Sequence, residues 1–236
     1  MADASRAGRK SDLGVRSLSA LVMVGVAGTA LALGGWVWIA LVAAIAIGVL
    51  WEWRGLVVQF EPLPLPRGLW NALGIVYIGL AGYTLAGLRL PADGLWIVLA
   101  LMLMVIATDI GAYFAGRTIG GPKIAPRISP SKTWSGLAGG IAGASLAHYG
   151  LGLIHPSLGS LFGTNPAPVL GSLLSGGAVA VVAQSGDFFE SWMKRRAGVK
   201  DSGRLIPGHG GLFDRVDGLL AVLFAVGLAL LVAGAG

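Results

Sequence analysis

Residues 17–51 contain no Asp, Glu, Lys or Arg. A helix needs about 20 mostly apolar residues to cross the hydrocarbon core of a bilayer. The run is long enough for two short spans, and Gly34-Gly35 near its middle reads as the turn of a helical hairpin. Further apolar stretches at 68–88, 94–115, 134–154, 169–184 and 212–235 bring the expectation to seven spans. Composition agrees: 55% of residues are hydrophobic and 12% charged, against about 25% charged in a soluble domain. A soluble globule and a disordered chain are both excluded. The absence of cysteine excludes a disulfide framework, a thiol nucleophile and a thiolate metal site. The expected fold is all-α: a polytopic integral membrane protein, one membrane domain over residues 1–236. The rival for the first span is a cleaved signal peptide, with Arg6, Arg9 and Lys10 as its basic region and Ala30-Leu31-Ala32 as a cleavage site. The many spans that follow, and the natural pairing of the first with the second, favour a span.

Seven spans place eight segments on alternating sides. Of the 17 Lys and Arg, 16 then fall on one side, and only Arg89 lies opposite. Basic residues concentrate in cytoplasmic loops, so the N-terminus is expected in the cytoplasm and the C-terminus outside. The location expected is the cell (inner) membrane. The net charge of +6 then faces anionic lipid, which attracts basic residues by about 1 kcal/mol each near the surface. Nucleic acid is not the expected partner, because no separate basic domain exists. Charge is sparse up to about residue 108 and patterned beyond it. Residues 1–108 therefore read as scaffold helices and 109–236 as the catalytic half.

Three segments of that second half carry candidate chemistry. Asp109 sits near the end of an apolar span, where an ionisable group is costly and signals function by default. Its alternative is an interfacial cap or a partner for Arg117. Tyr113 shares its helical face. Next, Gly116-Arg117-Thr118-Ile119-Gly120-Gly121-Pro122-Lys123 and Ile128-Ser129-Pro130-Ser131-Lys132-Thr133 precede a helix start at Trp134. Glycine N–H groups, Lys123, Ser129, Lys132, Thr133 and a helix N-terminus suit a phosphate. Taken alone, the loop reads rather as a basic topology anchor. The third segment is the most informative. Asp187, Glu190, Ser191 and Lys194 recur at helical spacing, so one face is polar. His209 lies between glycines, and Asp214 and Asp217 share a face at the start of the last span. Carboxylates beside Lys194, Arg195, Arg196, Lys200 and Arg204 suit a hard cation plus a polyphosphate. Few carboxylates with open positions point to Mg²⁺, which keeps waters and substrate phosphates as ligands. Helix N-terminal acids answering the dipole are the bland alternative for Asp214 and Asp217. A zinc site is disfavoured, since His148 and His155 lie toward the opposite side.

This segment resembles the signature of the phosphatidate cytidylyltransferase (CDP-diacylglycerol synthase) family. The residues are Ser191, Lys194-Arg195, Lys200-Asp201 and Pro207-Gly208-His209-Gly210-Gly211-Leu212-Phe213-Asp214-Arg215-Val216-Asp217. Asp109 with Gly111 and Tyr113, and Ile128-Ser129-Pro130 with Lys132-Thr133-Trp134, stand in the family's order upstream. The resemblance covers about 109–217. One departure is Ser135, where the family usually has an acid. The resemblance implies transfer of a cytidylyl group from CTP to phosphatidic acid, with Mg²⁺ and a monovalent cation such as K⁺ as its optional neighbour. It assigns Asp187, Asp214 and Asp217 to metal. It gives Lys194, Arg195, Lys200, Arg215 and the 117–133 loop to the triphosphate and lipid phosphate. His209 and Asp201 then orient substrate or metal-bound water. The active site is expected at the cytoplasmic ends of the C-terminal helices.

Two rivals remain. Cytidylyl transfer to another lipid phosphate fits the same motif, because the motif reads phosphates and not tails. An ion-coupled transporter would place acids near the bilayer midplane and show internal repeats, and neither is seen. A homodimer is compatible with a small polytopic enzyme, but nothing in the sequence demands one.

Overall fold

A computed structural model describes residues 2–155, 168–206, 208 and 210–234. The first helix, α1 (Ala2–Leu33), ends at Gly34, and α2 (Gly35–Phe60) starts beyond it. Gly34 and Gly35 have φ of 65° and 51°, a conformation that only glycine adopts without strain. The hairpin turn therefore lies where the glycine pair placed it. Its second arm is longer than expected. Residues 51–67 do not form a loop: α2 continues through Glu52 and Arg54 to Phe60, and α3 (Pro64–Leu88) begins three residues after Glu61. The reason is tertiary. Trp53 is buried against Trp70, Tyr77, Phe189 and Phe213, and its indole N–H donates to the Trp70 carbonyl at 3.0 Å. Packing of this kind holds a helix together across a charged residue.

The expectation of seven spans is met for six of them. Among the described residues, six helices are long and apolar enough to cross a membrane. The apolar part of α1, Ser17–Leu33, is shorter than the other six. At 1.5 Å per residue it covers about 25 Å of a core about 30 Å thick. Arg89, the basic residue expected on the opposite side, serves this helix. Its guanidinium donates to the Leu31 carbonyl at 2.8 Å and the Ala32 carbonyl at 3.4 Å. A cation on the last carbonyls answers the helix dipole.

The chain continues through α4 (Gly94–Thr118), a small antiparallel hairpin of β1 (Lys123–Ala125) and β2 (Ser129–Thr133), then α5 (Trp134–Ile154). Among the described residues the hairpin, with an isolated bridge between Ile206 and Gly210, departs from the all-α expectation. Two further helices follow: α6 (Pro168–Ala197) and α7 (Phe213–Gly234). The last two helices and α5 occupy the expected stretches, except that α6 runs well past Gln184. The 155–168 loop, expected outside, lies almost wholly beyond the described residues.

Glycine holds the second half together. A Cβ at Gly139 would lie 2.3 Å from Ala115 Cβ, and one at Gly143 2.4 Å from the Ala107 carbonyl. Helices α4 and α5 therefore touch backbone to backbone, as small residues allow in a membrane where no hydrophobic drive separates lipid from protein. Gly186 does the same for α6 and α7: its Cβ would meet the Asp217 carbonyl at 2.5 Å. The aromatic cluster around Trp53 fills the space between α2, α3, α6 and α7.

Candidate active site

One end of the bundle gathers the C-terminal turns of α4, strand β2, the N-terminus of α5, the C-terminal half of α6 and the start of α7. They enclose a cavity of about 860 Å³. Asp187, Asp201, Asp214 and Asp217 line it, and so do Lys132, Thr133, Lys194, Arg195, Lys200 and Arg215. Asp109, Tyr113 and Arg117 join them from α4. Two candidate residues do not reach this wall. Lys123 is exposed on β1, and Ser129 is buried within the hairpin, paired with Ala125. His209, together with Pro207, lies outside the described residues.

The hairpin and α6, read separately in the sequence, meet through charge. Lys132 Nζ lies 2.5 Å from Asp187 Oδ2, and Ser191 Oγ donates to Asp187 Oδ1 at 3.3 Å. Arg195 Nε donates to the Ile128 carbonyl at 3.4 Å, fixing the hairpin turn to the same helix. Thr133 caps α5, its hydroxyl accepting from Gly136 N–H at 3.0 Å. Ser135, standing where an acid was expected, donates to the Gly120 carbonyl and contacts Thr133 Oγ1 at 3.0 Å. It braces the glycine turn before the hairpin. Arg117 pairs with Tyr113 Oη at 2.7 Å rather than with Asp109.

Asp214 and Lys194 form the centre of a tighter network. Lys194 Nζ is ion-paired with Glu190, which is fully buried, and with Asp214 Oδ1 at 2.6 Å. Asp214 Oδ2 accepts from Ser202 N–H and Ser202 Oγ, each at 2.9 Å, and from Gly211 N–H at 3.0 Å. The motif's double glycine has two separate causes. Gly210 has φ 82°, and a Cβ at Gly211 would fall 2.0 Å from Ser202 Oγ and 2.8 Å from Asp214 Oδ2. Asp214 thus organises the loop that carries Lys200 and Asp201 over the cavity.

Three positions at or beside the cavity escaped the sequence reading. Glu52, on α2, is 3% exposed. It accepts from Leu212 N–H at 3.0 Å, Phe213 N–H at 2.8 Å and Ser202 Oγ at 3.1 Å. It therefore satisfies the orphan donors at the start of α7 from another helix. Ser202 has one hydroxyl proton and shares it between Glu52 and Asp214. The signal was present: a carboxylate directly following the long uncharged run. Glu190 was read only as part of a polar face, yet it is the buried partner of Lys194. Gln184 completes the set, lining the cavity one turn before Asp187.

The remaining acids suit a cation. Gly186 and Gly218 let α6 and α7 approach closely, so Asp187 and Asp217 face one cavity from adjacent helices, and the charges of Asp187 and Asp109 both act on Asp217. Among the described residues, no group of three or more His, Asp or Glu side chains is placed to hold a metal by itself. Two carboxylates with open positions left for phosphates and water match the coordination habit of Mg²⁺. Asp214 differs in degree: it accepts from Lys194, from two donors of Ser202 and from Gly211 N–H, whereas Asp187 is held by the Lys132 and Ser191 side chains and Asp217 accepts from Gly218 N–H.

The fold and cavity define a class: a polytopic helical membrane protein with an acid- and base-lined cavity at one end of its bundle, suited to phosphates bridged by a cation. Residues 64–233 match the cytidylyltransferase family, and the chain belongs to that family. A phosphatidate cytidylyltransferase of Brucella suis biovar 1 (strain 1330) is 46% identical over 182 residues, which are 77% of this chain and 60% of that protein. The Haemophilus influenzae protein of the same description is 39% identical over 150 residues, 64% of this chain and 49% of its own length. That of Rickettsia bellii is 33% identical over 214 residues, 90% of this chain and 88% of its own. The chain thus spans about 60% of the length of the Brucella relatives it matches.

Proposed function

We propose that this chain transfers the cytidylyl group of CTP to phosphatidic acid, giving CDP-diacylglycerol and pyrophosphate. One observation carries the reading: three acids and three bases from separate segments, Asp187, Asp214, Asp217, Lys132, Lys200 and Arg215, converge on one cavity. Family membership and the names of the relatives support it. An oxygen of the lipid phosphate attacks the α-phosphorus in line. The bond from that phosphorus to the α–β bridging oxygen breaks, and pyrophosphate leaves. No protein nucleophile is required, because positioning and charge stabilisation supply most of the acceleration in such transfers. Lys132, Lys200 and Arg215 face the charge that spreads over the transferring group and the pyrophosphate. Asp187 and Asp217 would hold Mg²⁺, which when bound neutralises phosphate charge and orients the reacting oxygens. Asp214, with Lys194 and Glu52, keeps the Lys200–Asp201 segment in place.

The cavity opens on the end of the bundle that carries nearly all the basic residues of the described loops. By the positive-inside rule that end faces the cytoplasm, where CTP is found. A lipid substrate then keeps its tails in the bilayer while its phosphate meets the nucleotide at the helix ends. The test uses purified protein in liposomes with CTP, Mg²⁺ and a panel of acceptors: phosphatidic acid, a polyprenyl phosphate and an ether-linked lipid phosphate. A CDP-lipid formed fastest from phosphatidic acid, and lost on chelation with EDTA, is the expected result. Turnover confined to another acceptor, or surviving exhaustive chelation, would contradict the proposal.

A further inference from the structure

Gln184 is 4% exposed, lines the cavity, and has neither amide atom hydrogen-bonded. A buried amide is expected to find partners, since leaving it unpaired loses its hydration with no return. Its surroundings offer none. Gly140 passes beneath it, with the position of a Cβ there only 3.1 Å from Gln184 Nε2. The Thr108 hydroxyl is already spent on the Met104 carbonyl at 2.8 Å. Lys132, the nearby cation on β2, is engaged with Asp187. Gln184 lies three residues before Asp187 on α6, about 4.5 Å further from the charged mouth along the helix axis. The wall beside it is built from small residues: Ala112, Gly136, Ala183 and Gly218. The lining therefore sets one buried neutral amide beside small residues and among the cavity's acids and bases.

We infer that Gln184 is a substrate contact: its amide hydrogen-bonds an uncharged, carbonyl-bearing group of a molecule whose phosphates are held at the mouth. This rests on the proposed function. Two parts of the proposed substrates have that chemistry: an ester carbonyl of the lipid, and the ring carbonyl of cytosine. In either case the buried amide gains a hydrogen-bond partner.

The test is Gln184→Met, which keeps the volume and removes both polar functions. A ligand role predicts that thermal stability without substrate is unchanged or raised, because an unpaired buried group has gone. It also predicts that KM rises about tenfold for one substrate, the magnitude of one lost neutral hydrogen bond, with the other KM within twofold. A rise for phosphatidic acid assigns the lipid ester, and a diether analogue should then show the same weakening with the unmutated protein. A rise for CTP assigns the base. Both KM values unchanged in an active variant would overturn the inference, as would a variant that merely melts at lower temperature. Ligand-induced thermal shifts, recorded separately with CTP and with phosphatidic acid in micelles, read the contact without turnover. If no CDP-lipid forms with the unmutated protein, the functional reading fails on its own. Shifts that are absent from the unmutated protein, or equal in it and Gln184→Met, overturn the contact.

Discussion

Glu52 and Asp187 show two ways a carboxylate is kept in a membrane-embedded helix. Glu52 is wholly committed: both oxygens receive backbone N–H groups at the start of α7. Glu52→Gln turns one acceptor into a donor facing an N–H group. It should cost about 1–3 kcal/mol, the usual penalty for one unsatisfied buried group. Thermal unfolding measures the loss, and hydrogen exchange should quicken at residues 202–213 while the distant helix ends stay protected. Uniformly faster exchange would mean Glu52 supports the bundle in general rather than this loop. Asp187 and Asp217 instead line the cavity. Asparagine preserves their shape and removes the charge, so it tests electrostatics. Losing a transition-state interaction of about 3–4 kcal/mol slows a reaction some hundred- to thousandfold. Asp187→Asn and Asp217→Asn are each expected to lose at least that much turnover with normal membrane insertion. Near-normal turnover in either would remove it from the proposed cation site.

At the scale of elements, the legible features were those set by local chemistry. The Gly34-Gly35 break, the start of α5 at Trp134 beside its Thr133 cap, and the polar stripe of α6 all follow from residues near in sequence. What was not legible depends on distant partners. The end of α2 was placed too early because Glu52 and Arg54 look like a loop boundary until the Trp53 cluster is seen. The 123–133 hairpin was read as an irregular loop, since two short strands leave no periodicity to detect. Asp214 was read as a metal ligand from its shared face with Asp217; spacing does not reveal its bonds to Lys194, Ser202 and Gly211. Nothing local marks the glycines of α5, although they set the approach of α4. Gly139→Val tests this directly. Its side chain has no room against Ala115 and Gly111, so the helices must separate. Size-exclusion of detergent-solubilised protein should show loss of the monodisperse species, whereas Gly150→Val, where a Cβ meets nothing within 4 Å, should be tolerated. Equal behaviour of the two variants would mean that the close α4–α5 contact is dispensable.

The whole molecule is a bundle with a charged end and a nearly uncharged one. Orientation is therefore its most consequential property, and the absence of cysteine makes it measurable without background. Ala92→Cys, on the short connection beside Arg89, should react with an impermeant thiol reagent added outside intact cells. Lys123→Cys, on the hairpin, should react only after the membrane is opened. The reverse pattern would put the cavity on the side away from cytoplasmic nucleotide. The central claim, that a cytidylyl group and not a terminal phosphate is transferred to lipid, is tested by the fate of the label. The purified protein, Mg²⁺ and phosphatidic acid are incubated in parallel with CTP labelled at its α- or γ-phosphate. The account predicts α-label in the lipid and γ-label in pyrophosphate. Lipid labelled from the γ-position, or from neither, would contradict it.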